Sequence, residues 1–405
     1  MRRILLLTAL LALAAAPAAA QRRGEVPRRP ALPAAADTND ARAYMALAEE
    51  KLAARPREAA DAFYWAYQLN PSLSDALYGR YTALLMTEPR RLVDYMQANR
   101  RTLRQPEVIA LDSLYYRALT MDPFLFRRYD ANLFRFYLES WVRRDLDSSG
   151  GHDVPEGVIQ RYVSELLMDG SAYVRAQEAY SRGLFPDALR LYEEAMRGTR
   201  RKSYIRTDRA RLLAHLSNWQ PALEEMTQAL AERRTEDERD VVYLYESKAL
   251  LEHGIGLLNE RLGNLDAARE AYARALTEEM TYYPAHVRLA NLAMTGGDTA
   301  SAMASYDLAV QTTNDPTVLY MYGALLAQAA RYDESAAQFE RAIQAAPYYA
   351  DPYFGLAMVR DAQGNGPAAA EAYRGFMARA VATHRRREHA QQRIEALAAS
   401  PAVAP

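Results

Sequence analysis

Apolar residues along this chain fall on helical faces over most of its length. Leu77, Tyr81, Leu84 and Leu85 share one face, and Leu92, Tyr95 and Met96 another. Val108, Leu111, Leu114, Tyr115 and Leu119 make a third. Leu133, Phe136, Tyr137 and Trp141 make a fourth that is unusually aromatic. Spacings of three and four bring side chains to one side of a helix with 3.6 residues per turn. Asp122-Pro123 breaks the pattern between the third and fourth faces.

From about residue 169 the pattern becomes a beat. Tyr192, Met226, Tyr272, Tyr306, Phe339 and Tyr373 follow one another at steps of 34, 46, 34, 33 and 34 residues. Four residues before each stands a small one: Ala188, Ala222, Ala268, Ala302, Ser335 and Ala369. Three residues after the first five stand Ala195, Ala229, Ala275, Ala309 and Ala342. Ala59, Phe63 and Ala66 carry the same spacing near the start. A period of this length predicts helix hairpins, each unable to bury its apolar face without the next. Small residues let helix axes approach, and an aromatic ring fills the space between them. Gly256 and Gly323 lie sixteen residues before Tyr272 and Phe339. A Gly inside a helix costs about 1 kcal/mol against Ala, so both predict close packing. The single step of 46 holds twelve extra residues near the charged run Glu232 to Asp240, read as a solvated loop or a helix extension.

These residues resemble the tetratricopeptide repeat family. The unit from Pro316 to Pro347 matches best, through Leu319, Tyr322-Gly323, Leu326, Tyr332, Phe339, Ala342 and Pro347. Looser units end near Arg200, Arg234, Met280, Asn314 and Arg379, and another spans Asp40 to Pro71. The resemblance implies an all-α fold, a right-handed α-solenoid of stacked antiparallel helix pairs. It also implies a concave groove for a protein or peptide partner. Carried over unit by unit, the groove-facing positions are Tyr173, Gln177, Tyr180, Tyr204, Arg211, His215, His253, Glu260, Arg261, Asn291, Tyr320, Asp351, Phe354 and Asp361. This mixed lining departs from the family members that clamp a chaperone's C-terminal carboxylate with paired Lys and Asn. Any one of these aromatics also reads as packing between units.

Composition narrows the setting. Residues 1–20 read as a secretory signal: Arg2 and Arg3, an apolar stretch from Ile4 to Ala16, then Ala18-Ala19-Ala20 as cleavage site. The expected destination is the periplasm or the exterior, as a soluble chain without a spanning helix. No Cys is present, so no disulfide and no lipid-bearing thiol can form. Removing the two Arg of the signal leaves 48 basic and 51 acidic residues, a net charge of −3, which argues against a general nucleic-acid binder. Residues 21–39 read as a flexible Pro/Ala-rich linker, 40–168 as an irregular helical region, and 169–394 as the array with a polar capping helix. Residues 395–405 read as a disordered tail.

One motif stands apart. Asp145 to Glu156 resembles the twelve-residue EF-hand calcium loop, with Asp145, Asp147 and Ser149 at positions 1, 3 and 5 and Gly150 at the turn. The Gly151 carbonyl, Asp153 and Glu156 would complete an oxygen shell. Ca²⁺ is the one cofactor this implies. His152 and Pro155 depart from the pattern, and Asp153 with Glu156 equally makes a capping box for the next helix. The sequence has no HExxH helix, Gly-rich phosphate loop or GxSxG elbow. The expected function is a non-catalytic, exported, protein-binding scaffold of the bacterial envelope. The alternatives are a glycan-binding or uptake component, for which the 28 Tyr would serve stacking, and an enzyme with carboxylates inside the superhelix.

Overall fold

A computed structural model describes residues 26–97, 105–148, 155, 157–161, 163, 171–199, 202–237 and 247–399. All regular structure among them is helical. The signal-like segment 1–20 and residues 400–405 of the tail lie outside the described residues.

Helices α1 (Ala41–Lys51) and α2 (Pro56–Leu69) form a first hairpin. The irregular stretch holds α3 (Ser74–Met86), α4 (Pro89–Met96), α5 (Pro106–Met121) and α6 (Asp130–Ser148). Six hairpins follow. They are α7 (Ala172–Ser181) with α8 (Phe185–Gly198), α9 (Ser203–His215) with α10 (Trp219–Asp237), and α11 (Lys248–Arg261) with α12 (Leu265–Glu278). Then come α13 (Tyr283–Thr295) with α14 (Thr299–Thr312), α15 (Pro316–Gln328) with α16 (Tyr332–Ala345), and α17 (Asp351–Ala362) with α18 (Gly366–Arg379). Each hairpin packs on the next, and α19 (Arg387–Ala399) covers the last through Ala390, Ile394 and Leu397. The extra residues of the long step begin as an extension of α10, which has 19 residues where α12, α14, α16 and α18 each have 14.

Local chemistry sets the helix ends. Side chains of Asp40, Ser171, Ser247, Asp298, Asp315 and Asn365 accept from backbone N–H groups of the first turn they precede. Between the two helices of each of the six array hairpins, one residue turns left-handed: Gly183, Ser217, Gly263, Gly297, Ala330 and Gly364. These turns keep the same steps as the aromatics, nine residues ahead of each.

The aromatics are wedges. Tyr192, Tyr272, Tyr306, Phe339 and Tyr373 are all buried. A Cβ on Gly256 would come within 2.3 Å of the Tyr272 ring, and one on Gly323 within 2.9 Å of Phe339. Both glycines are therefore sites of close helix approach, as their position predicts.

The interior of the solenoid is filled by its own N-terminal part. One buried cluster joins Phe63, Leu77, Tyr78, Tyr81, Leu119 and Leu125 to Leu250, Tyr272, Tyr282 and Leu292. Residues at and before the first hairpin also meet the last hairpins of the array. Asn39 donates to the Ala378 carbonyl (3.1 Å), the Ala382 N–H donates to Asp37 (2.6 Å), and the Trp65 and Tyr348 rings lie 4.7 Å apart. Within the segment read as a flexible linker, Pro27 and Arg29 are tied to the first hairpin. Trp65 donates to the Pro27 carbonyl (2.9 Å), and Arg29 lies over the Trp65 ring and bonds the Tyr44 hydroxyl. An Arg stacked on a buried Trp gives polar residues a reason to stay ordered.

Candidate functional site

The concave face of the first three hairpins of the array holds the loop between α5 and α6. This loop, Asp122 to Tyr129, reads Asp-Pro-Phe-Leu-Phe-Arg-Arg-Tyr. Asp122-Pro123 ends α5, and the Asp122 side chain accepts from the Phe124 N–H. The loop then crosses α11, α9 and α7. Phe124 packs with Met226, Leu251 and Ile255 and faces Gly254. Phe126 lies between Tyr180 and His215, with ring centroids 5.0 and 4.6 Å away. The Pro123 carbonyl accepts from Arg211 Nε at 3.0 Å.

A buried polar cluster fixes the crossing. Asp208, 2% exposed, pairs with Arg127 at 2.8 Å and Arg211 at 3.0 Å. It also accepts from the Tyr173 hydroxyl (2.7 Å) and from Gln177, whose own oxygen accepts from Arg127 (2.9 Å). Burial opposes charge on Asp208, but the two guanidinium groups outweigh it and hold the carboxyl below its ordinary range. Burial raises Asp130, against the pull of Arg127 and the hydroxyl of Tyr78. Burial also pushes the Tyr173 hydroxyl well up, helped by Asp208.

The fourteen positions carried over from the repeat pattern are thus engaged within the chain. Tyr173, Gln177, Tyr180, Arg211 and His215 meet the loop or its polar cluster, and Tyr204 packs edge-on against Tyr173. His253 is buried, its Nδ1 3.1 Å from the Tyr282 hydroxyl, and burial with nearby Arg288 depresses its pKa to about 3. Glu260 accepts from Arg288 and the Tyr272 hydroxyl. Arg261 is exposed and lies over Trp219. Asn291 accepts from Tyr306 (2.7 Å). At the C-terminal end, Arg386 bonds Tyr320 and Asp351 and lies over Phe354, and Arg393 grips Asp361 with two bonds of 2.8 Å. Phe354 is 7% exposed among Tyr373 and Phe376, a packing residue rather than an open groove contact.

Sequence reasoning missed Arg127, Phe126 and Asp208. The signal for the loop was the dense aromatic–basic run just after Asp122-Pro123. Asp208 gave none, because its role depends on a residue 81 positions earlier. Of the calcium-like loop, Asp145 and Asp147 stand on α6, which runs through Ser148. Ser149, Gly151, Asp153 and Glu156 lie outside the described residues. Among the described residues no group of three or more His, Cys, Asp and Glu is placed to hold a metal ion, and no helix is long and apolar enough to cross a membrane.

Residues 253–279 match the family model of the tetratricopeptide repeat. No curated protein matches the chain. Among solved structures, the chain is similar to the C-terminal part of a TPR repeat-containing protein from Cytophaga hutchinsonii, at 16% identity over 51% of this chain and 78% of that one, with a TM-score of 0.42. YrrB, described as a TPR protein with an unusual peptide-binding site, is 18% identical over 50% of this chain and 97% of that one, with a TM-score of 0.38. Yeast Tom70 is 13% identical over 89% and 88%, with a TM-score of 0.41. Likeness at this level says nothing of what the chain binds.

Proposed function

We propose that this chain is a non-catalytic protein-binding scaffold, exported and working in the cell envelope. One observation carries the reading: an array of helix hairpins, one of them matching the tetratricopeptide repeat, that holds an extended aromatic–basic segment across three successive helices. The chemistry of that hold is the chemistry of peptide recognition, with aromatic anchors and charge-assisted hydrogen bonds. Here it serves an internal segment. A partner is expected at groove positions of the array that the loop does not cover, among them half-buried Tyr320 and Asn291 and exposed Arg261. The signal-like Arg2 to Ala20 supports export.

The test is affinity capture from envelope extract, with the bound protein identified and its dissociation constant measured on purified components. A defined partner at micromolar affinity or better, weakened by Arg261→Glu or Tyr320→Ala, supports the scaffold. Capture that fails to reproduce with purified components removes it, and turnover of an envelope glycan by the chain alone replaces it with the enzyme reading.

A further inference from the structure

Beside the loop, residues of α3 to α7 leave a cleft of about 270 Å³. Tyr81, Tyr115, Phe134 and Tyr173 give it aromatic walls, and Arg127 with Asp130 lie at its polar end. Tyr81 and Tyr115 are stacked 5.0 Å apart. At about 30 Å³ per water this space holds roughly nine heavy atoms, enough for one substituted aromatic ring.

The hydrogen-bond accounting at the polar end is specific. Gln177 spends both its N–H groups on Tyr173 and Asp208 and its oxygen on Arg127. Tyr173 donates to Asp208. Arg127 Nε is buried without a hydrogen-bond partner and is ion-paired to Asp130 Oδ2 at 3.4 Å. The other oxygen of Asp130 accepts from Tyr78. A donor and an acceptor therefore stand side by side. A carboxylate placed there meets the Asp130 charge, and an ammonium meets Arg127. A neutral hydroxyl avoids both conflicts, donating to Asp130 Oδ2, whose side chain is part-exposed.

We infer that this cleft binds a hydroxyaromatic group, either a free phenol or the tyrosyl side chain of another protein. The ring stands among Tyr81, Tyr115, Phe134 and Tyr173, and the hydroxyl donates to Asp130 beside the Arg127 guanidinium. A pocket with apolar walls and a few convergent polar groups is the usual form of a small-molecule site. A site built to bond a hydroxyl discriminates sharply against an analogue that lacks it.

The probes are p-cresol, toluene, phenylacetate and benzylamine, titrated into the purified chain and followed by saturation-transfer NMR and calorimetry. The expected result is saturable p-cresol binding, with the three analogues at least tenfold weaker. Ala131 lines the cleft, so Ala131→Phe fills it and weakens p-cresol at least tenfold with the melting curve preserved. Val174→Phe serves the same purpose from α7 if the first variant does not fold. N-acetyltyrosinamide separates the sources: binding equal to p-cresol identifies a tyrosyl side chain, and binding of p-cresol alone identifies a free phenol. No saturable p-cresol binding, toluene binding as tight as p-cresol, or p-cresol binding untouched by a filled cleft overturns the inference. These outcomes are independent of whether a scaffold partner is found.

Discussion

Replacing Gly256 by Ala sets two known effects against each other. Helix propensity favours Ala by about 1 kcal/mol in a helix interior. Packing opposes it, because the new methyl would sit 2.3 Å from Tyr272 Cε1 and 2.7 Å from Cδ1 and Cζ. The ring cannot swing aside freely. It is fully buried, and its hydroxyl is held by Glu260, which also binds Arg288 at 3.0 Å. Overpacking of this kind costs about 1–3 kcal/mol. The upper half of that range applies, since relief means moving α12 or breaking the Tyr272–Glu260 bond. The net expectation is a loss of about 1–2 kcal/mol. Ala176, Ala290 and Ala357 occupy the same register beneath Tyr192, Tyr306 and Tyr373, so the fold itself survives the change. The control is Gly198→Ala at the end of α8, where a Cβ meets nothing within 4 Å and propensity acts alone. Thermal melts and hydrogen exchange over α11 and α12 read the result, since local exchange stays meaningful in an array that need not unfold in one step. Gly256→Ala should lower the midpoint and speed exchange in these two helices, while Gly198→Ala should be neutral or stabilising. A Gly256→Ala protein more stable than the parent would refute the close-approach account of the repeat.

Three further outcomes follow from single sites. Ala330→Gly should stabilise by about 0.5–1 kcal/mol, because Ala330 sits at φ 57° and left-handed strain of about 1–2 kcal/mol exceeds the entropy cost of Gly; an unchanged denaturation midpoint would speak against it. Tyr192→Phe should also stabilise, by about 1–2 kcal/mol, since the Tyr192 hydroxyl is buried without a hydrogen-bond partner, whereas Tyr272→Phe should destabilise by leaving Glu260 short of a donor. His253 is neutral in the fold, with a pKa near 3, and takes a proton in the unfolded chain below about 6.5. Its contribution is fully present above pH 6.5 and is lost as pH falls from there toward 3, up to about 4–5 kcal/mol in all; denaturation of His253→Phe across this window should show a shallower pH dependence.

The hairpins were legible because their signal is local. Small–aromatic–small spacing and glycines under rings act within one unit or between neighbours, and the structure places Tyr272 over Gly256 as that spacing requires. The contents of the groove were not legible. Tyr180, Arg211 and His215 were read as open groove positions, but they are covered by Phe124 to Arg127, far away in sequence. An open array and one packed from within share the same repeat pattern. The contacts of Asp37 and Trp65 with residues near 348 and 382 are hidden for the same reason, since no period relates the first hairpin to the last ones. Phe354 shows the residual ambiguity of a solenoid aromatic, where groove and seam lie one helical step apart.

The central claim is that the inner face of the hairpins from Ala172 to Arg261 is occupied by the chain's own loop. A diazirine-bearing phenylalanine at position 126, activated by light in the purified monomer and mapped by mass spectrometry, tests it most directly. The account predicts intrachain cross-links to the helices carrying Tyr180 and His215 and to Phe185, whose ring lies 6.1 Å from that of Phe126. Labelling of solvent, or cross-links confined to α5 and α6, would contradict it.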